Sequence, residues 1–446
     1  MGRSITPAEL KTIWLDYFKS KGHTVIDSHS LIPPENDKST LFINSGMCAI
    51  KQYFISGAKN QMFTSVQKVV RTVDITSIEE DAWHSTYFEM MGNFSIGGYF
   101  KREAVEYAVE FLLKHLKLDP KNFVITVHEE DSETEDIWRS LLGSDISILR
   151  LGSSNFWEIG EGPCGPCTEI YYDRGEKYDP KGLSTKLISE NIPNDRYIEI
   201  WNIVFSQYWA KEGKYEELET KNIDTGAGLE RLITILEEAE DVFHSSQFSP
   251  LIKEIEANSR FTYYGVNPEG GYRVKAQFQV IADHLRTLTL LLGEGLTPSN
   301  KGRGYVLRKL LRRSIVGLYI LEVSDISSSL RSLSEKIFDI LVGLHPFLEG
   351  KLPEIQEKIL SEYEGFKKIL ESFDSKIQRE ISNREGGLEQ RLFTLVEREG
   401  VPYALIEKMV TESNTPFSRE AYEECSLKHQ SKSKNEKFLG GFDLSS

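Results

Sequence analysis

Cysteine is scarce in this sequence, with four residues in a chain of 446. Disulfide scaffolds carry many more cysteines in much shorter chains, so that class is excluded and a reducing, cytoplasmic compartment is expected. A long uncharged apolar run is also missing from the sequence, which argues against a membrane-spanning helix. The N-terminal residues lack the apolar segment of a secretory signal. We therefore expect a cytoplasmic protein without a membrane partner.

An excess of positive charge is absent as well. The 68 Asp and Glu residues outnumber the 53 Lys and Arg residues, and the formal net charge is -15. A nucleic-acid partner would need a local basic patch, because the overall electrostatic field repels phosphate. The length indicates two or more domains, and 39% apolar with 27% charged residues is typical of globular proteins.

The character of the sequence changes about halfway along. Short β-prone runs such as 123–128 and 197–209 are frequent in the first half, and helical periodicity dominates the second. We therefore predict an α/β domain over residues 1–245 and a helical domain over residues 246–446. The polar tail from Ser431 is expected to be poorly ordered.

The first helix is predicted from its capping residues. Thr6 suits the N-cap, Pro7 the first helical position, and Glu9 completes a capping box. Apolar residues then recur at helical spacing up to residue 21, and Gly22 ends the pattern.

The stretch 66–100 carries the first candidate site. An apolar run from Val66 to Val70 predicts a buried strand that ends at Arg71, and a polar loop separates it from a second β-prone run containing Phe88. On two antiparallel strands, the guanidinium could bind a phosphate while the ring offers a face to a nucleobase. A structural arginine and a core phenylalanine are the alternative.

A second candidate site lies at a glycine-rich corner. Gly226 and Gly228 mark a sharp turn from a strand into a helix, and Arg231 falls on the first helical turn. A helix N-terminus and an arginine both favour an anionic ligand. Asp224, just before the turn, could pair with a substrate ammonium. A purely structural glycine corner is the alternative.

Several longer segments follow one another in an order that is typical of a known family. The segments are SKGH (20–23), LFINSGM (41–47), HSTYFEMMGNFSIGGYFK (84–101), NFWEIGEGPCGPCTEIYYD (155–173), RYIEIWNIVF (196–205), DTGAGLER (224–231), ADHLRT (282–287) and PSNKGRGYVLR (298–308). Together they resemble the N-terminal half of the alanyl-tRNA synthetases, which are class II aminoacyl-tRNA synthetases.

The resemblance implies a fold and a reaction. The fold would be an α/β (α+β) class II domain with an antiparallel sheet flanked by helices, followed by an all-helical domain. The reaction would be ATP-dependent activation of L-alanine to alanyl-adenylate, with Mg²⁺, and transfer to the 3′ end of tRNA(Ala).

The resemblance also implies roles in ATP and ammonium binding. Arg71 would bind the α-phosphate and Arg231 the γ-phosphate. Phe88 would stack on adenine, with the Met90 backbone near its edge, and Asp224 would bind the alanine ammonium. The remaining implied contacts are a methyl pocket walled by Trp157, Asn202 and Val204, with room left by Gly226, and a tRNA acceptor-stem contact by Asn300.

A basic helix follows Asn300. Lys301–Arg313 contains Arg303, Arg308 and Arg312, which could follow a tRNA backbone. A solvated helix face is the alternative, and the resemblance favours contact with tRNA.

The segment around Cys164 and Cys167 is predicted to be a rigid Gly/Pro/Cys loop. Two cysteines can contribute half of a zinc site, but four ligands are normally needed. Some relatives follow this pair with two histidines, where this sequence has Arg174 and Lys177. We therefore favour structural thiols, and we do not expect zinc or another protein-bound metal site.

The sequence departs from many relatives in three places. The loop after Arg71 is shorter and lacks a Lys-containing, glycine-rich segment. Ala404 occupies a place where many relatives have an Asp that helps to read a G·U base pair. The chain also ends where relatives continue into editing and oligomerisation regions. We therefore expect a monomer that activates serine and glycine measurably and does not clear them.

Two other classes of function compete with this interpretation. One is a non-catalytic RNA-binding or regulatory relative, which the presence of Arg71, Phe88, Asp224 and Arg231 disfavours. The other is an amino-acid-activating enzyme that loads an acceptor other than tRNA, which Asn300 and the basic helix disfavour.

Overall fold

The computed structural model describes most of the chain, which forms two compact units. The first unit comprises Met1–Lys253, Thr289–Leu296 and Lys336–Glu349, and the second comprises Glu254–Leu288, Thr297–Glu335 and Gly350–Ser446. The predicted domain boundary after residue 245 stays a prediction, and the predicted tail lies outside the described residues. Those residues are 5–35, 40–50 (without the side chain of Ala49), 53, 59–158, 162–265, 274–383 and 386–428.

A single sheet organises the first unit. Among the described residues it contains nine strands in the order β1-β2-β3-β9-β8-β7-β4-β5, with β6 paired to β7. The strands are β1 (Thr24–Val25), β2 (Gln61–Val70), β3 (Tyr87–Ile96), β4 (Phe123–His128), β5 (Ser147–Leu151), β6 (Phe156–Trp157), β7 (Gly162–Asp173), β8 (Tyr197–Lys211) and β9 (Lys214–Gly228).

The inner pairs of this sheet, β2-β3, β3-β9, β9-β8, β8-β7 and β7-β4, are antiparallel. The two outer pairs, β1 with β2 and β4 with β5, are parallel. The predicted mixed class, an antiparallel sheet flanked by helices, is confirmed, with two parallel edges added. The strand predicted over 123–128 has those bounds.

Helices account for the other regular structure. They are α1 (Pro7–Ser20), α2 (Lys101–Glu110), α3 (Ser132–Leu142), α4 (Lys186–Ser189), α5 (Leu229–Leu236), α6 (Ser249–Asn258), α7 (Val274–Gly293), α8 (Gly302–Ile320), α9 (Ile326–Val342), α10 (Leu352–Ser382), α11 (Leu388–Glu399) and α12 (Tyr403–Glu412).

The first helix confirms the predicted capping box. The Glu9 backbone N–H donates to the Thr6 hydroxyl at 3.2 Å, and the Thr6 backbone N–H donates to the Glu9 carboxylate at 2.9 Å. The apolar face buries Trp14 and Phe18 completely. Gly22 adopts a φ of 90°, which favours glycine where the chain leaves the helix.

The Gly/Pro/Cys segment is not the predicted loop. It is the first half of β7, which pairs with β8 through Cys164 and again from Cys167, with a register shift between them. A side chain at Gly165 would collide with the backbone carbonyl of Phe205. A bulge accommodates Pro166, because an extra residue on β8 interrupts the ladder at a position where proline cannot donate.

In the second unit, all regular structure of the described residues is helical, as predicted for this half of the sequence. Its helices bury leucine and isoleucine stripes such as Leu307, Leu310 and Leu311 of α8. Among the described residues, no helix combines the length and the apolarity needed to cross a bilayer.

Candidate active site

A cavity of about 360 Å³ opens on the central strands of the first unit. Every predicted ATP- or alanine-binding residue lines it, although these residues are spread over more than 150 positions of the sequence. They are Arg71, Phe88, Met90, Trp157, Asn202, Val204, Asp224, Gly226 and Arg231.

Strand register explains this convergence. In the order β3-β9-β8, Met90 is opposite Gly228, and Asp224 is opposite Val204. Side chains two residues apart on a strand share a face, so Asn202 and Val204 on β8 face the cavity together. The neighbours of Phe88 and Met90 on β3 point into the core instead: Tyr87, Glu89 and Met91 are fully buried.

Arg71 lies just beyond the end of β2, where its backbone N–H donates to Thr86 O at 2.9 Å. Its Nε donates to Asn44 O at 3.2 Å, and its guanidinium carbon lies 5.1 Å from the centre of the Phe88 ring. The two terminal nitrogens make no hydrogen bond to the described residues. Burial lowers the pKa of Arg71, so an anionic ligand would stabilise its charged form.

Asp224 is the opposite case, a buried acid. Asp224 is 8% exposed, and burial raises the pKa of its carboxyl to about 7. Its side chain has no hydrogen-bonding or ion-pair partner among the described residues. A cation placed beside it would restore the charged form, because an opposite charge offsets the desolvation of a carboxylate.

Close packing favours glycine at position 226. A Cβ there would lie 3.0 Å from the Met90 sulfur, which in turn accepts a hydrogen bond from the Gly46 N–H at 3.4 Å. A larger residue would push Met90 into the cavity. The size of the cavity floor is therefore set by Met90 and Gly226 together.

Arg231 is in the first turn of α5, as the glycine corner predicted. Its Nε donates to Trp83 O at 3.4 Å and its Nη1 to Glu199 O at 3.1 Å, with the Glu199 carboxylate 3.8 Å away. Two backbone carbonyls thus hold this guanidinium at the cavity wall.

Asn202 is oriented by a buried carboxylate. Its amide nitrogen donates to Glu169 at 3.3 Å, and the same Glu169 carboxylate accepts from Thr126 and Tyr171. Burial, and then the charge of Glu199, raise the pKa of Glu169. The Asn202 amide oxygen is buried and has no partner among the described residues.

Sequence reasoning missed part of the lining. Ile200 could have been found by continuing the alternation of Asn202 and Val204. Glu199 could not have been found in this way, because a bulge on β8 turns both Glu199 and Ile200 to the cavity. At this bulge, Ile170 pairs with Trp201, but the next residue, Tyr171, pairs with Glu199. The other missed lining residues are Ser45, Asp74, Trp83, His84, Ser85, Thr225, Gly228 and Glu230.

In the second unit, the predicted tRNA-binding residues cluster on and before α8. Arg308 hydrogen-bonds the Asn300 side-chain oxygen and pairs with Glu362 at 2.8 Å. Arg312 pairs with the same Glu362 at 3.4 Å and donates to Gly400 O at 3.1 Å. The basic helix is therefore partly neutralised by α10, which the sequence did not indicate. Arg303 lies in the first turn of α8.

Ala404 is buried in α12 and offers an alkyl side chain alone. Cys164 and Cys167 are buried in β7 as free thiols. Among the described residues, no group of three or more His, Cys, Asp or Glu side chains could hold a metal ion. The expected absence of zinc stays a prediction.

Comparison with known proteins identifies relatives of this chain. An alanine–tRNA ligase of Mycoplasmopsis synoviae is 41% identical over 448 residues, which are 97% of this chain and 49% of that protein. One of Malacoplasma penetrans is 42% identical over 421 residues, 92% of this chain and 45% of that protein. The chain thus spans about half the length of the curated relatives it matches.

The crystal structure of pyrrolysyl-tRNA synthetase from Desulfitobacterium hafniense aligns with 54% of this chain and 73% of its own at 11% identity, with a TM-score of 0.32. That score is too low to support any argument. The family described as tRNA synthetases class II (A) matches residues 9–443. Since this match extends over nearly the whole sequence, the chain belongs to the class II tRNA synthetases.

Proposed function

We propose that this chain activates L-alanine with ATP to form alanyl-adenylate and transfers the alanyl group to the 3′ end of tRNA(Ala). One observation carries the proposal: Arg71, Phe88, Asp224 and Arg231 line a single cavity of about 360 Å³. A nucleotide and a small amino acid need these groups together. The names of the relatives at about 40% identity support alanine as the amino acid.

The chemistry of the first step requires little from the protein beyond positioning. The alanine carboxylate attacks the α-phosphorus of ATP, and pyrophosphate leaves with the electron pair of the broken P–O bond. The attacking group is already ionised at neutral pH, so no general base is needed. Arg71 would bind the α-phosphate and Arg231 the γ-phosphate, while Phe88 stacks on adenine beside the Met90 backbone.

Mg²⁺ typically binds through one or two protein carboxylates together with substrate phosphates. Glu199 could serve in that role, because its partly exposed carboxylate lines the same cavity as the two arginines proposed to bind the phosphates. When bound, the ion would neutralise phosphate charge as pyrophosphate forms.

Alanine would bind at the other end of the cavity. Asp224 would pair with the ammonium. Trp157, Asn202 and Val204 would wall the methyl group, with room left by Gly226. A pocket of this kind rejects larger side chains sterically but discriminates poorly against glycine and serine, since one small group contributes only ~1–3 kcal/mol.

For the second step, we propose that the acceptor stem of tRNA contacts Asn300, Arg303, Arg308 and Arg312. The pairing of Arg308 with the Asn300 oxygen supports a defined orientation, since it leaves the amide N–H groups as the donors. Such a donor suits the minor groove of an RNA helix, where base edges and 2′-hydroxyls are exposed.

The experiment has two stages. ATP–pyrophosphate exchange with alanine, glycine and serine tests activation, and charging of tRNA(Ala) with and without its G·U pair tests the acceptor. Alanine-dependent exchange with G·U-dependent charging is expected. Exchange without charging would favour another acceptor, and tRNA binding without exchange would favour a non-catalytic relative.

A further inference from the structure

Arg174 connects three segments of the first unit. Its Nη1 donates to Asp195 O at 2.8 Å, at the far end of the polar segment 174–196 that connects β7 to β8. Its Nη2 donates to Ala239 O at 3.0 Å and to Glu240 O at 2.7 Å, just beyond the C-terminus of α5. One guanidinium therefore ties the polar segment to the end of the helix that carries Arg231.

The planar face of the same guanidinium holds a third segment. Its carbon lies 4.8 Å from the centre of the Trp83 ring and 3.8 Å from that of Tyr178. The indole N–H of Trp83 donates to the Asp195 carboxylate at 2.8 Å. Trp83 is only 6% exposed, so its position in the loop between β2 and β3 is set by these contacts.

Trp83 leads directly to the cavity. It lines the cavity wall, and its backbone carbonyl accepts from Arg231 Nε at 3.4 Å. Arg174 thus holds both ends of this contact, the carbonyl that aims Arg231 and the helix from which Arg231 projects. Its own side chain is absent from the lining of the cavity.

We propose that Arg174 is a positioning residue for ATP: it fixes the Trp83 loop against α5 and so presets Arg231 for the terminal phosphate. This inference rests on the proposed function, since Arg231 is assigned to ATP there. The competing interpretation is that Arg174 stabilises the fold without affecting the site.

Arginine is required by this geometry. The two terminal nitrogens of Arg174 donate to three backbone carbonyls while its planar face lies against the indole of Trp83. The single ammonium of a lysine cannot make this set of contacts. Arg174→Lys therefore keeps the charge and loses the bridge. If Arg174→Ala fails to fold, Arg174→Lys carries the same test.

The experiment is ATP–pyrophosphate exchange by wild type, Arg174→Ala and Arg174→Lys, with equilibrium binding of ATP in the absence of amino acid. We expect the KM and Kd for ATP to rise about tenfold in Arg174→Ala, which corresponds to about 1.4 kcal/mol, and less in Arg174→Lys. The KM for alanine and the titrated fraction of active sites stay at wild-type values.

Arg391→Ala is the matched control. Arg391 donates to the carbonyls of Gly386, Glu380 and Asn383 in the second unit and lines no part of the cavity. Its loss should lower the melting temperature and leave ATP binding unchanged.

Three outcomes are decisive. Wild-type ATP affinity in Arg174→Ala, with only a lower melting temperature, would overturn the inference. If wild type shows no exchange with alanine but Arg174→Ala still binds ATP more weakly, the proposed substrate is wrong and the positioning role stands. A wild type that does not bind ATP would overturn both.

Discussion

At the scale of single residues, the cavity contains buried ionisable side chains whose hydrogen-bonding capacity is not fully used by the described residues. Arg71 uses only Nε within the described part of the chain, and Asp224 uses neither carboxylate oxygen there. A buried charge without a partner is unfavourable. A ligand that carries phosphate at one end and ammonium at the other would stabilise both residues at once.

Arg71→Ala should abolish alanine-dependent ATP–pyrophosphate exchange, with a loss of at least about 10²-fold, because a preorganised charge facing the reacting phosphate is removed. The variant should keep its fold, since within the described ranges Arg71 donates one side-chain hydrogen bond, to Asn44 O. Arg150→Ala is a suitable control, because Arg150 is exposed and pairs with Glu135. Wild-type exchange in Arg71→Ala would remove this residue from the site.

Asp224→Asn should raise the KM for alanine and flatten its pH dependence. In wild type the pKa of about 7 means that the carboxylate is protonated as the pH falls below 7, so alanine binding should weaken in that direction. Exchange kinetics at several pH values measure this, with the KM for ATP as internal reference. A wild-type KM for alanine that is constant from about pH 6 to about pH 8 would contradict the ammonium role.

The same pKa has a consequence for stability. A carboxyl whose pKa is higher in the folded state than in the unfolded state destabilises the fold increasingly as the pH rises from the unfolded to the folded value, and fully above it. Without ligand, Asp224→Asn should therefore be more stable than wild type at about pH 8, by up to about 1.4 kcal/mol per pKa unit. Chemical unfolding should show this difference vanish near about pH 4.

At the scale of elements, β8 carries two bulges against β7, and the second of them shapes the cavity wall. The first places Gly165 of β7 against the backbone of Phe205, and the second turns Glu199 toward Arg231. Regular strands would place Glu199 on the opposite face. The second bulge therefore decides that the cavity contains the Glu199 side chain.

Gly165→Ala should destabilise the protein by about 2–3 kcal/mol, because the added methyl group would overlap a backbone carbonyl that cannot move aside as a side chain could. Gly365→Ala is the matched control: it lies within α10 with no atom within 4 Å of the new methyl, and it should stabilise by about 0.5–1 kcal/mol. Thermal and chemical unfolding compare the two. Equal stabilities would show that β7 and β8 can separate at this point.

At the scale of the whole molecule, the proposed reaction divides between the two units. The groups proposed for activation belong to the first unit, and those proposed for the acceptor stem belong to the second. A net charge of -15 makes the basic residues of α8 an exception in the chain. Their pairing with Glu362 limits the free positive charge and holds Arg308 against Asn300.

Glu362→Gln should therefore separate the two steps. Loss of the carboxylate charge removes the ion pair that fixes Arg308 beside Asn300, so the orientation of Asn300 is loosened and kcat/KM for tRNA should fall about tenfold. Exchange without tRNA should be unchanged. Glu364→Gln is the control, because Glu364 is exposed two residues further along the same helix. Equal charging by both variants would contradict a role of Glu362 in tRNA binding.

Much of the fold follows from local patterns. The capping box of α1, the strand over 123–128 and the helical second half were predictable, because capping and hydrophobic periodicity act within a few residues. The Gly/Pro/Cys segment was not, since its prolines indicate a loop locally and only a bulge against β8 makes it a strand.

The order of the amino acids is enough to say which chemical groups are available: two arginines, an aromatic ring and an acid, in segments similar to those of one enzyme family. Only folding brings these groups into one cavity, leaves Asp224 without a partner among the described residues, and brings Arg308 and Arg312 to Glu362. The cause is distance along the chain. Burial, and therefore pKa and pairing, depends on strands and helices that meet only when the whole unit has folded.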